Sequence, residues 1–158
     1  MRYGWIRATV LAMSLGAMAA HADPAADNLK AGTDFLKQEA KVPGVVVLPS
    51  GVMYRLVSRS TNPGAQPTVA DNVTINYEGK LITGQVFDSS YARNEPANFP
   101  LGRLIPAWQQ AIPLMHVGDE IILYTPPSAA YGDRDLSPDI PPNSTLIFRV
   151  QLLGIGTQ

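Results

Sequence analysis

The 158-residue sequence contains no cysteine. That excludes a disulfide framework, a thiolate metal site and a lipidated cysteine at a cleavage point, and it leaves stability to the hydrophobic core alone. Histidine is scarce, with only His21 and His116; His116 has no partner at metal-ligand spacing and reads as structural. Asp133, Asp135 and Asp139 form a sparse acidic loop that lacks the regular oxygen-ligand spacing of a calcium site. No metal and no cofactor is expected. An excess of one charge is missing too: the formal net charge is −1, and about −3 without Arg2 and Arg7. Attraction to phosphate dominates nucleic-acid affinity, so a chain with no basic stripe is not expected to bind DNA or RNA. Beyond the N-terminus no apolar run approaches the length that crosses a bilayer. Absent as well are a nucleophile paired with a base, a phosphate-cradling loop, an internal repeat and a low-complexity tract.

The N-terminus has its own pattern. Arg2 and Arg7 precede or flank an apolar run from Ala8 to Ala20, and Ala20-His21-Ala22 suits signal-peptide cleavage. At 13 residues the run is short of the ~20 needed for a membrane span, so residues 1–22 are expected to be a secretory signal peptide rather than an anchor. The chain from Asp23 is then about 136 residues long, one domain of common size with a short extension.

Residues 23–43 are expected to form that extension. Leu29, Phe35 and Leu36 give it a weak apolar face, Gly32 and Thr33 interrupt it, and one or two helical turns are expected in its second half after a frayed start. Val42-Pro43-Gly44 ends it. From there the pattern changes to strands: Val52–Arg59; Val73, Ile75 and Tyr77 alternating with polar residues; a turn at Gly79 with a return from Leu81-Ile82; a second turn at Thr83-Gly84 before Gln85–Asp88; Asp119–Thr125; and Thr145–Leu153. Ile105–Met115 is the one helix expected inside the domain, opened by Pro106 and closed near Gly118. Thr125–Pro142 reads as a long loop over the sheet, a usual location for sites. The fold class is α+β.

What remains is a set of aromatic and apolar residues with one carboxylate, carried by short patterns. These are Asn76-Tyr-Glu-Gly79, Gly84, Phe87-Asp-Ser-Ser90, Arg93, Pro96, Phe99, Ile105, Trp108, Gly118, Ala130-Tyr-Gly132, Ile140-Pro-Pro142 and Thr145-Leu-Ile-Phe148. In this order and spacing they resemble the FK506-binding protein (FKBP) family of peptidyl-prolyl cis–trans isomerases, over about Gly44 to Ile155. Pro43-Gly44 to Pro49-Ser-Gly51 with Tyr54 resembles the start of the catalytic domain in the family's macrophage infectivity potentiator branch, whose members are exported by Gram-negative bacteria. The resemblance implies a mostly antiparallel, strongly curved sheet wrapped around one short helix, with residues 44–158 as the isomerase domain. It implies an exported protein, in the periplasm first of all, with secretion or outer-membrane association as alternatives. Many branch members dimerise through a long N-terminal helical arm; only Asp23–Lys41 is available here, so a monomer is expected.

Position by position, the resemblance implies a catalytic set of Tyr77, Asp88 and Tyr131. Phe87, Arg93, Phe99, Leu104, Ile105, Trp108, Ile140 and Phe148 would bind substrate or inhibitor, with Trp108 as the floor. The Ile105 N–H and Tyr131 hydroxyl would bond ligand carbonyls, and Asp88, bridged by Arg93, would face the reacting amide. Proline-containing polypeptides are the expected partners and FK506- or rapamycin-type macrolides the expected inhibitors. The chain departs from the pattern at Ala97, where many members have a rim aromatic, at Ala107 in place of a glycine, and in a loop before Leu104 one residue shorter than in the best-known eukaryotic forms.

Taken singly these residues have plainer readings. Phe87, Phe99, Ile105, Trp108 and Phe148 would be ordinary core, Tyr77 and Tyr131 structural hydroxyls, Arg93 a surface charge, and Asp88 before two serines a turn or cap. The pattern as a whole favours the site. Two other functions share such a pocket: a non-catalytic module or holdase that grips proline-containing chains, and a carrier of a small hydrophobic ligand.

Overall fold

The computed structural model describes residues 22–156. The expected signal peptide falls, apart from Ala22, outside that range. Seven strands among the described residues form one sheet: β1 (Val45–Val47), β2 (Met53–Ser58), β3 (Asn72–Leu81), β4 (Val86–Ser89), β5 (Ala97–Pro100), β6 (Glu120–Thr125) and β7 (Leu146–Gly156). Their order is β1-β2-β6-β7-β3-β4, with β5 also on β3, and every pair is antiparallel. Helix α1 (Pro24–Glu39) precedes the sheet and α2 (Pro106–Ala111) lies between β5 and β6. This is the expected α+β class.

Strand β3 organises the domain. Its buried and half-buried residues alternate strictly, placing Val73, Ile75 and Tyr77 on the core face. β7 pairs along one edge from Val73↔Ile155 to Leu81↔Leu146 and supplies Phe148, Val150 and Leu152 to the same core. The other edge is shared by two short strands: β4 opposite Glu78–Lys80 and β5 opposite Asn72–Ile75. Register shifts at Leu56/Ser58, Thr74/Ile75 and Gly79/Lys80 bend the strands and increase twist, curving the sheet around α2. That helix buries Ala107, Trp108 and Ala111 against the inner face. Each fully buried Leu, Ile or Val of this core contributes roughly 1.5–3 kcal/mol.

Several expectations change. The first helix is one uninterrupted run of 16 residues, not a frayed start with one or two turns. Asp23 caps it by accepting from the Ala25 N–H at 3.1 Å, and Pro24 follows at the first helical position. Gly32 is buried against Thr145, so tertiary contact supports the residue that local propensity marks as a break. The helix expected over Ile105–Met115 leaves α geometry after Ala111, and Ile112–Leu114 is a 3₁₀ turn. Pro113 has no N–H to give to the α ladder. Gly79 is no turn: β3 runs through it to Leu81, and the chain reverses only at the second turn expected there, around Thr83-Gly84, where Gly84 has φ +93°. The short edge strands β1 and β5 escape period reading because three or four residues hold too little alternation.

Candidate active site

A cavity of about 220 Å³ opens on the inner face, above the start of α2. Its floor is the indole of Trp108, 5% exposed. Phe148 of β7 and Tyr77 of β3 meet that ring edge-on at centroid distances of 5.2 and 5.4 Å, and Phe99 of β5 stands at 6.3 Å. Phe87 of β4 then packs edge-on against Phe148 at 5.7 Å. Edge-to-face pairs are preferred over stacked ones, and together they make a rigid box. Leu104, Ile105, Asp88 and Tyr131 complete the wall. Pockets for drug-sized ligands run from about 300 Å³ upward; this one suits a single small ring.

Local sequence explains the box. Gly79 lies between the two phenylalanines: a Cβ there would sit 2.5 Å from Phe87 Cζ and 2.7 Å from Phe148 Cε1. Only glycine lets both rings cross the strand. Ser90 closes the gap between β4 and β5. Its N–H donates to the Tyr77 carbonyl at 2.9 Å and its hydroxyl accepts from the Tyr77 N–H at 2.8 Å, replacing the missing ladder bonds and fixing Tyr77. Ile105 is the N-cap of α2 with Pro106 behind it, and Gln109 Nε2 donates to the Leu104 carbonyl at 2.7 Å. Trp108 is thereby held one turn into a well-anchored helix.

One rim is polar. The Tyr77 hydroxyl donates to Asp88 Oδ2. Arg93 Nη1 donates to Asp88 Oδ1 at 2.5 Å, and its Nη2 donates to the Tyr77 oxygen at 3.1 Å. Partial burial alone would push the Asp88 carboxyl up, but the Tyr77 and Arg93 hydrogen bonds, the Arg93 charge and the Ser89 N–H hold it below the ordinary carboxylate range. Burial and the neighbouring Asp88 push the Tyr77 and Tyr131 phenols up. At neutral pH the rim therefore holds a carboxylate, a guanidinium and two neutral phenols. No proton is poised to move, and among the described residues no three His, Cys, Asp or Glu side chains converge on a metal position.

Nine of the eleven site residues expected from the sequence line this cavity. Arg93 stands at its rim, behind Asp88 and Tyr77. Ile140 packs half-buried against the margin of the core, its N–H bonded to the Ser137 carbonyl at 3.0 Å, and is not in the wall. Ala97 is half-buried in β5 opposite Ile75. Two larger clefts lie beside α1, one of about 420 Å³ over the other face of the sheet and one of about 500 Å³ between α1 and residues 126–145, and both mix charged, polar and apolar side chains. Ser90 and the structural use of Gly79 were missed by sequence reading, although a glycine inside an otherwise alternating strand is itself a signal of close approach.

The family model described as "FKBP-type peptidyl-prolyl cis-trans isomerase" matches residues 64–153, most of the sheet and all of the cavity. The chain belongs to the FKBP-type isomerase family. A second model, described as the domain amino terminal to the FKBP-type isomerase, matches residues 6–56. The FKBP-type 22 kDa peptidyl-prolyl cis-trans isomerase of Escherichia coli is 46% identical over 124 residues, 78% of this chain and 59% of that protein. The outer membrane protein MIP of Legionella longbeachae is 40% identical over 131 residues, 83% of this chain and 55% of that protein. The crystal structure of FkpA from Escherichia coli superposes with a TM-score of 0.78 at 41% identity, covering 83% of this chain and 60% of that one. These likenesses place the chain in the Mip-like part of the family. It spans between half and three-fifths of the length of these relatives. No helix among the described residues is long and apolar enough to cross a membrane.

Proposed function

We propose that the protein is a peptidyl-prolyl cis–trans isomerase that accelerates rotation about X–Pro bonds of polypeptides folding outside the cytoplasm. In this reading residues 1–22 are a signal peptide, 23–43 an extension and 44–158 the isomerase domain, acting as a periplasmic monomer. The observation that carries the proposal is the aromatic box on Trp108, of a size for one proline ring, with the fixed Asp88 carboxylate at its rim.

Rotation breaks no covalent bond. It must overcome amide resonance, a barrier of about 18–20 kcal/mol. The planar amide carries more charge separation than the twisted one, so water and polar surroundings hold the ground state. A pocket walled by Phe87, Phe148 and Trp108 withholds that solvation, and only such a difference between ground and transition state raises the rate. Ile105 N–H and the Tyr131 hydroxyl anchor the carbonyls that flank the bond. Asp88, kept ionised and oriented by Tyr77 and Arg93, faces the amide from the side. Because both donors already occupy its oxygens, Asp88 acts as a fixed charge and not as a base. FK506- and rapamycin-type macrolides would insert one small ring into the same box and lie across its rim.

The test is the cis-to-trans rate of a proline tetrapeptide with the wild-type chain and with Asp88→Ala, checked for intact folding. The expected result is acceleration that drops by roughly tenfold or more in the variant and is blocked by FK506. A folded wild-type protein that does not accelerate the reaction would leave a proline-binding module in place of an enzyme.

A further inference from the structure

Helix α1 lies away from the cavity: Phe35 in its second half packs against Tyr124 of β6 at 6.1 Å, and its first half meets the segment that follows Tyr131. Two amide side chains tie its first turns down. Asn28 Nδ2 donates to the Pro142 carbonyl at 3.0 Å, and Asn143 Nδ2 donates to the Ala25 carbonyl at 3.2 Å. One turn on, a Cβ on Gly32 would lie 2.2 Å from Thr145 Oγ1, so this close approach requires glycine.

Asn143 faces both ways. While its side chain holds α1, its backbone N–H donates at 2.8 Å to the carbonyl of Gly132, the residue after Tyr131. The Gly132 N–H in turn donates to the Pro127 carbonyl at 2.9 Å and closes the loop. Asn143 stands at φ +58° and Gly132 at +66°, the left-handed region that asparagine and glycine enter most readily. Between these ties, α1 and the loop are separated by a cleft of about 500 Å³ bounded by Leu29, Leu36, Pro126, Pro127 and Asp133.

We propose that α1 braces the loop presenting Tyr131, and that Asn143 is the positioning residue through which the brace reaches the site. The inference rests on the isomerase reading above. Cutting the ties gives residues 127–143 freedom, and the Tyr131 hydroxyl then spends less time where a substrate carbonyl meets it. A misplacement of about 1 Å can lower a rate by about 10²-fold, and partial release of the loop should lower it by about tenfold.

The experiment uses the full chain. Asn28→Ala with Asn143→Gly removes both side-chain ties while glycine keeps the positive φ and the N–H bond to Gly132; Gly32→Val independently pushes α1 off Thr145. Each is measured with and without Tyr131→Phe, by kcat/KM on a proline tetrapeptide and by amide hydrogen exchange. Both cuts should lose about tenfold with Tyr131 present but less than about twofold in the Tyr131→Phe background, where the hydroxyl is already gone. Exchange should quicken over residues 127–143 while β7 amides keep their protection. Equal losses in both backgrounds would mark general destabilisation and overturn the brace, as would unchanged rates in an active enzyme. An inactive wild-type protein would remove the isomerase reading and the brace with it.

Discussion

Replacing Gly79 by alanine tests the construction of the box through the sign of a stability change. Gly79 lies inside β3 and is not among the glycines with positive φ, so an ordinary strand glycine at this position would gain about 0.4–1 kcal/mol from the loss of unfolded-chain freedom. Here the new methyl would stand 2.5 Å and 2.8 Å from two Phe87 ring carbons and 2.7 Å from a Phe148 carbon. Phe148 is itself wedged against Trp108, so it cannot withdraw without disturbing the floor, and Phe87 can withdraw only by giving up its edge-on contact with Phe148. Overpacking of this kind costs about 1–3 kcal/mol, and the net expectation is a loss of roughly 1–2 kcal/mol. With a urea m-value of about 2 kcal/mol/M, mid-range for a small domain, and no change in slope, the midpoint should fall by about 0.5–1 M. Isomerase kcat/KM should fall with it, because the walls around the proline move. Adding Phe87→Leu should recover part of the stability, giving a coupling of about 0.5–3 kcal/mol in the double-mutant cycle. A midpoint equal to or above wild type would refute the reasoning.

The other predictions concern charge. Asp88 is held below the ordinary carboxylate range and the Tyr77 and Tyr131 phenols above their usual value, so none should change state at intermediate pH. The pH profile of kcat/KM should be flat from about pH 5 to 9; an inflection there that disappears in Asp88→Asn would contradict this protonation assignment. Asp119 is buried and accepts from the Ser60 N–H at 2.9 Å and the His116 N–H at 3.0 Å. Burial raises its carboxyl, but these two bonds and the nearby Arg59 and His116 charges bring it below the ordinary value. Its folded pKa thus lies below the unfolded one, so its contribution is present above about pH 4 and is lost as pH falls through the folded value. Asp119→Ala, which strands two N–H groups, should cost about 2–4 kcal/mol near neutral pH in urea unfolding and less at pH 3; an equal cost at both would show that the charge is not responsible.

The sequence by itself determined the class of the fold and most of the wall of the cavity. Alternation over Val73 to Tyr77 and over Leu146 to Leu152 is a period-two signal that survives any context, because a half-buried strand has two faces in different solvents. The order of Tyr77, Phe87-Asp88, Trp108, Tyr131 and Phe148 was enough to expect one site from five separate segments. Tertiary structure decided what depends on close approach. Gly79 and Gly32 look like breaks in their elements, yet they are where Phe87 with Phe148, and Thr145, come nearest the backbone. Ser90 reads as a turn residue until the gap between β4 and β5 gives its hydroxyl the Tyr77 N–H. Ile140 matches the pattern and still packs beside the cavity, while α1 becomes a full helix because loop residues 142, 143 and 145 hold it. Periodicity records which side of an element is buried; which atoms meet across the core is set by register, and register is a property of the assembled sheet.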